Sequence, residues 1–272
     1  MCLLVLAWNA HPRYRLVVAA NRDEFHDRPA LPLAQWTDRP EILAGRDVRA
    51  GGAWIGIDRE RRFGVVTNFR DLQRRLPGTQ SRGDLIPSYF GQPAGAGDVM
   101  TQLAATAPHY SGFNLLLADA RTLWYGSNRA DSFARELSTG IHGLSNHFLD
   151  TPWPKLQRVR RRFDVVIEEQ QTIDPTRLFS ILADRHQVMA GAELPQTGVA
   201  PEWERVLSAP FVLNPNYGTR CSTVVLLEHS GAVYIGERRF DPAGEMSGET
   251  ELRLNAAEWP ETPRNPHAPS PL

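Results

Sequence analysis

Residues 2–8 (CLLVLAW) are apolar at every position over the length of one strand, and after a polar loop containing Pro12 a second such run fills 14–20 (YRLVVAA). A strand without polar alternation is buried on both faces, so these two belong to the interior of the fold. Three more pairs of apolar runs follow: 53–58 (AWIGID) with 63–68 (FGVVTN), 113–118 (FNLLLA) with 123–126 (LWYG), and 222–228 (STVVLLE) with 232–237 (AVYIGE). Each pair is joined by a few charged or turn-forming residues, so the pattern predicts four hairpins.

Helical periodicity lies between the hairpins. Residues 84–90 and 98–107 carry an acid at their start, where the helix dipole favours it. Within 153–169 the apolar residues Trp153, Leu156, Val159, Phe163 and Val166 recur at helical spacing, and 175–185 repeats the pattern with Leu178, Ile181 and Leu182. Arginines 158, 160, 161 and 162 lie on the first of these helices and read as a solvated face. Hairpins, then helices, then hairpins predict an α+β layered fold of mostly antiparallel sheets. No linker divides it, so residues 1–272 are expected to form one domain. Its last part, 241–272, holds six prolines and few apolar residues and reads as an extended tail.

Composition narrows the function classes. The 272 residues carry 31 acidic and 30 basic side chains, a net charge of −1, so no overall field draws the chain to nucleic acid or an anionic membrane. The two cysteines, Cys2 and Cys221, are too few for a disulfide framework. No apolar run reaches the roughly 18 residues of a membrane span, and the apolar start lacks the basic flank of a signal peptide. A cytoplasmic protein with a small, largely apolar partner is expected.

Candidate chemistry begins at Cys2. Removal of Met1 would leave cysteine first, with a free α-amine of pKa about 7.7 to 8.0 that can accept the thiol proton. One residue then supplies nucleophile and base, on a buried strand that fixes it. Asn21, Arg22, Asp23 and Glu24 (NRDE) directly follow the second apolar run. If the two strands pair antiparallel, Arg22 and Asp23 return beside Cys2. There the guanidinium would favour the thiolate and the carboxylate would hold an ammonium.

MCLLVLAW, the Pro12 turn and AANRDEFHDRP at 19–29 resemble the NRDE or TANGO2-like family (transport and Golgi organization protein 2). In the same order stand GGAWIGI (51–57), GVVTNFR (64–70), SRGDL (81–85), FNLLLAD (113–119), HGLSN (142–146), PWPK (152–155) and YGTRCSTV (217–224). The resemblance implies a four-layer αββα sandwich like that of N-terminal-nucleophile hydrolases. A more distant similarity runs to choloylglycine hydrolases and penicillin V acylases, which begin Met-Cys and carry an arginine after the second strand. Arg22 matches that arginine, but Phe25 stands where those enzymes place an aspartate, so Asp23 is the remaining acid. The same similarity implies oxyanion donors at Asn68 and Asn146 and a late arginine at Arg220.

Two function classes follow. In one, the chain is a cysteine amidohydrolase or thioesterase for a small hydrophobic acyl compound, needing no cofactor or metal, with Trp54, Phe69 and Tyr217 as acyl-pocket or core residues. In the other, the same sandwich binds or carries heme or a lipid or acyl-CoA ligand. For heme, His26 beside NRDE and His142 and His147 around GLSN are the candidate axial ligands; none of the eight histidines has a paired metal-ligand spacing.

Overall fold

The first strand, β1 (Cys2–Trp8), is buried on both faces. Leu4 and Leu6 join one core while Leu3 and Val5 join another, and this division organises the molecule. The computed structural model describes residues 2–70, 80–169, 172–188 and 194–261. Met1 and residues 262–272 of the proline-rich tail lie outside them.

Two antiparallel sheets face each other. The first comprises β1, β2 (Tyr14–Phe25), β10 (Gly140–Leu144), β11 (Tyr217–Glu228), β12 (Val233–Phe240) and β13 (Met246–Leu254), in the order β10-β1-β2-β11-β12-β13. The second runs in sequence order through β3 (Ala30–Gln35), β4 (Ile42–Asp47), β5 (Ile55–Asp58), β6 (Phe63–Asn68), β7 (Phe113–Ala118), β8 (Leu123–Ser127) and β9 (Ala134–Glu136). Between them Leu4, Leu6 and Val18 of the first sheet meet Ile57, Phe63 and Leu116 of the second.

Helices close both outer faces. Leu3, Val5 and Val17 pack under α3 (Pro154–Glu168) and α4 (Pro175–Leu182) through Val159, Phe163 and Leu178. Ile42, Val66 and Leu115 pack under α1 (Leu85–Phe90) and α2 (Ala96–Leu103) through Ile86, Tyr89 and Met100. The layer order is αββα, as the family resemblance implied. A fifth helix, α5 (Pro201–Val206), precedes β11.

The four expected hairpins all form, but several boundaries move. NRDE does not follow the second strand; it is part of β2, which continues to Phe25. Polar residues can extend a buried strand when each finds a partner. Asn21 donates to the carbonyls of Leu182 and Pro210 (both 2.9 Å) and accepts from Ser222 Oγ at 2.6 Å. The helix expected over 84–90 starts as a 3-10 turn, Arg82–Asp84, capped by Ser81. That expected over 98–107 runs from Ala96 to Leu103 and is followed by a separate 3-10 turn, Ala107–His109. Residues 246–254 of the expected tail form β13, an edge strand against β12.

Candidate functional site

Antiparallel pairing of β1 and β2 sets Cys2 directly opposite Arg22, and the next strand sets Cys221 opposite the same arginine. Laterally paired residues project to the same face of a sheet, so Cys2, Arg22 and Cys221 form one row facing the second sheet. On its other side β1 pairs with β10 only from Leu4 onward, so Cys2 lies past the end of that neighbour. Here a cleft of about 280 Å³ opens, lined by Cys2, Arg22, Asp23 and Glu24 from the first sheet. Trp54, Asn68 and Arg82 line it from the other side. Burial pushes the Cys2 thiol up from its ordinary value, opposed most by the N-terminal ammonium and less by the Arg22 charge. A thiol raised in this way keeps its proton at neutral pH.

Arg22 is held from two directions. Its Nη2 donates to Asp47 Oδ2 at 3.2 Å, and its guanidinium lies 4.4 Å from the centre of the Trp54 ring. Asp47 also accepts from Arg28 Nε at 2.6 Å, and the Arg28 pair helps to hold its carboxyl below the usual range against the effect of burial. Trp54 sits where it does because β4 has glycine beneath it. A Cβ on Gly45 would lie 2.3 Å from Trp54 Cζ2, well inside contact distance. A second close approach shapes the opposite wall, where a Cβ on Gly52 would lie 2.2 Å from the Gly83 carbonyl carbon and Ala53 N donates to Gly83 O at 3.0 Å.

Asp23 alternates to the opposite side of β2. Its Oδ1 accepts from Thr219 Oγ1 at 2.7 Å, and its backbone carbonyl accepts from the buried Tyr217 hydroxyl at 2.9 Å. Burial raises the Asp23 carboxyl, opposed most by the Lys155 ammonium. Lys155 is the single lysine of the chain and sits in the first turn of α3, 3% exposed. Burial lowers its pKa to about 8, with Asp23 opposing and Arg70 reinforcing the drop. Arg70 in turn donates to Glu204 Oε2 at 2.9 Å and lies 4.8 Å from the Trp153 ring centre. Asp23, Lys155, Arg70 and Glu204 thus form a buried cluster of two acids and two bases behind Cys2.

The remaining candidates divide. Asn68 ends β6 in the cleft and makes no side-chain hydrogen bond to another described residue, so its amide can meet an incoming oxygen. Asn146 is fully buried, and its Nδ2 donates to Asn68 O at 2.9 Å while its carbonyl accepts from Arg70 N at 2.7 Å. It positions Asn68 and does not line the cleft. Beside it Ser145 Oγ donates to Cys2 O at 3.1 Å, securing the Cys2 backbone. Arg220 occupies a bulge in β11, between Thr219 and Cys221, and its Nη1 donates to the carbonyls of Phe25, His26 and Arg28. It braces the β2–β3 loop outside the cleft lining. Trp54 lines the cleft, whereas Phe69 packs tilted against His147 and edge-on to Phe148, and Tyr217 packs edge-on to Phe25 and Trp203.

The three histidines are tied to separate partners. His26 Nε2 contacts Asn214 O at 3.0 Å, His147 Nδ1 contacts Thr151 Oγ1 at 3.1 Å, and both ring nitrogens of His142 are engaged, by Asp150 and by Ser138 O. None lines the cleft, and ligation of heme iron by His142 would require breaking one of its bonds. Among the described residues no group of three or more His, Cys, Asp or Glu side chains is arranged to hold a metal. No helix of the described residues is long and apolar enough to cross a membrane.

The family profile described as Transport and Golgi organisation 2 matches residues 1–242. The chain is 31% identical to the human Transport and Golgi organization protein 2 homolog, over 88% of this chain and 92% of that one. It is 30% identical to the mouse homolog over the same shares, and 23% identical to the Drosophila melanogaster protein over 91% of this chain and 96% of that one. Among solved structures it is similar to a Caenorhabditis elegans N-acylethanolamine-hydrolyzing acid amidase ortholog, at 13% identity and a TM-score of 0.38, covering 83% of this chain and 92% of that one. With a family match across nearly nine tenths of its length, this chain belongs to the Transport and Golgi organisation 2 family.

Proposed function

We propose that the chain is a cysteine N-terminal-nucleophile hydrolase that cleaves a linear amide or thioester of a small acyl compound. The observation that carries this reading is Cys2 itself, a thiol at the end of a doubly buried strand, opposite Arg22 and open to a cleft that also holds Asn68. Removal of Met1 frees the α-amine that the reaction requires. The amine takes the thiol proton, and Sγ attacks the carbonyl carbon to form a tetrahedral adduct. Its oxyanion accepts a hydrogen bond from the Asn68 amide, a contact worth about 2.7 to 4 kcal/mol in comparable sites. The adduct collapses to a thioester as the ammonium gives its proton to the departing nitrogen or sulfur. Water then attacks with the amine as base, and the acid leaves as the thiol is restored.

The lining supports a division of labour along the cleft. Trp54, Val66 and Ala53 offer an apolar wall for the acyl part, and the charged residues around Arg22 and Arg82 face the polar part. The test is hydrolysis of a panel of hexanoyl amides and hexanoyl thioesters by wild type and by Cys2→Ser and Asn68→Ala. The expected result is turnover by wild type, loss of activity in Cys2→Ser, and a fall in kcat of about 10²-fold or more in Asn68→Ala. Equal rates in wild type and Cys2→Ser would overturn the reading.

A further inference from the structure

The charged groups around the cleft do not all find partners within it. Arg22 and Arg28 share the Asp47 carboxylate, and Glu24 adds a second acid 4.0 Å from Arg28 Nε. Asp23 faces Lys155 and Thr219 behind the sheet. Arg82 is the exception: it lines the cleft, its Nη1 donates to Gly112 O at 3.0 Å, and it forms no ion pair with another described residue. Burial lowers its pKa, and the groups opposing that drop are Glu24 and Cys2, which places its charge within electrostatic reach of the thiol.

Arg82 is also held in place. It opens a 3-10 turn whose cap, Ser81 Oγ, accepts from Gly83 N at 3.2 Å. Gly83 in turn is locked to the Gly52–Ala53 backbone by the close approach described above. A cation fixed on such a turn, largely out of water and unpaired with any carboxylate among the described residues, loses little freedom when an anion arrives. A guanidinium also matches a carboxylate with two parallel hydrogen bonds.

We propose that the Cys2 cleft takes acyl compounds that carry a carboxylate, and that Arg82 is the residue that recognises it. The acyl half of this statement rests on the proposed hydrolase reading; the anion half does not depend on turnover. The carboxylate lies on the arginine side of the cleft and the acyl chain along Trp54, with the carbonyl between them at Cys2.

Binding to the full chain carrying Cys2→Ala, which cannot turn over, tests it by calorimetry. The probes are N-hexanoylglycine, its uncharged N-methylamide and hexyl phosphate. N-hexanoylglycine is expected to bind about tenfold or more tightly than the methylamide, the scale of one charge-assisted hydrogen bond. Arg82→Gln should abolish that preference and Arg82→Lys should keep part of it. Hexyl phosphate binding more tightly than N-hexanoylglycine would overturn the carboxylate assignment. Equal affinity for the acid and the methylamide, no binding of either, or a preference surviving in Arg82→Gln would overturn the proposal. If Arg82→Gln does not fold, the comparison of acid and methylamide in the Arg82 protein decides. Because no step is catalysed, a failure here is distinct from a failure to hydrolyse.

Discussion

Glutamine at position 204 removes one charge from the buried cluster behind Cys2 while nearly preserving shape. Glu204 and Arg70 side chains are each 5% exposed and meet at 2.9 Å. The other carboxylate oxygen accepts from Thr197 N at 2.9 Å and Thr197 Oγ1 at 2.6 Å. In Glu204→Gln the Arg70 guanidinium stays buried over Trp153 without its counter-charge and beside a second cation, Lys155. Breaking a buried pair from one side costs about 3–5 kcal/mol, because the remaining ion is uncompensated. At roughly 2 °C per kcal/mol for a chain of this size, Tm should fall by about 6–10 °C. Thermal and urea melts of Glu204→Gln, Arg70→Met and the double variant Arg70→Met/Glu204→Leu read the effect. The double variant, which removes both ions, should lose less than the sum of the single costs by about 1–3 kcal/mol. A single-variant cost below about 1 kcal/mol, or strict additivity, would refute the reasoning.

Gly45→Ala drives a Cβ into the Trp54 ring, so it should cost about 1–3 kcal/mol and shift tryptophan emission as Trp54 leaves Arg22; wild-type melts and an unchanged spectrum would contradict this. Because Lys155 is the only lysine, one ¹³Cε resonance reports its titration, with a midpoint near 8 in wild type and lower still in Asp23→Asn; a midpoint near 10.5 would show that it is not buried as described. The same shift has a sign in stability: the unfolded chain keeps this proton to higher pH than the fold, so Lys155 makes the fold more stable as pH rises from 8 to 10.5. The gain is at most about 3 kcal/mol and should disappear in Lys155→Met, as urea melts across that range will read. His142 has the opposite sign, since its hydrogen bond to Asp150 raises its pKa: its contribution is complete below 6.5 and lost as pH rises above that, a dependence His142→Gln should flatten.

The doubly apolar first strand and the hairpins were legible because burial on both faces leaves no polar alternation to misread. The strand through NRDE was not, because Asn21 and Asp23 satisfy themselves through Ser222, Thr219 and the carbonyls of distant residues, and no local signal reports such partners. Pro32 in β3 and the alternating polar residues of β13 concealed edge strands, which require only one buried face. At the site, antiparallel geometry alone brought Cys2 to Arg22, and Asn68 reached the cleft from the end of β6. Asn146 and Arg220 carried the right chemistry but spend it on backbone carbonyls. Lys155, Arg70 and Glu204 went unread because they meet only after three distant segments pack. The one available signal was a solitary lysine in the first turn of a helix, where the dipole disfavours a cation. Arg82 stood in a recognised stretch, SRGDL, with nothing in the sequence to show that it forms no ion pair among the described residues.

The central claim is that Cys2 is the reacting group. Intact mass followed by mapping of the first peptide, after brief exposure to a hexanoyl thioester and acid quench, tests it most directly. The account predicts a chain lacking Met1 that carries one hexanoyl group on Cys2, released by hydroxylamine and absent in Cys2→Ser. A chain that retains Met1, or an acyl group found on Cys221 or nowhere, would contradict it.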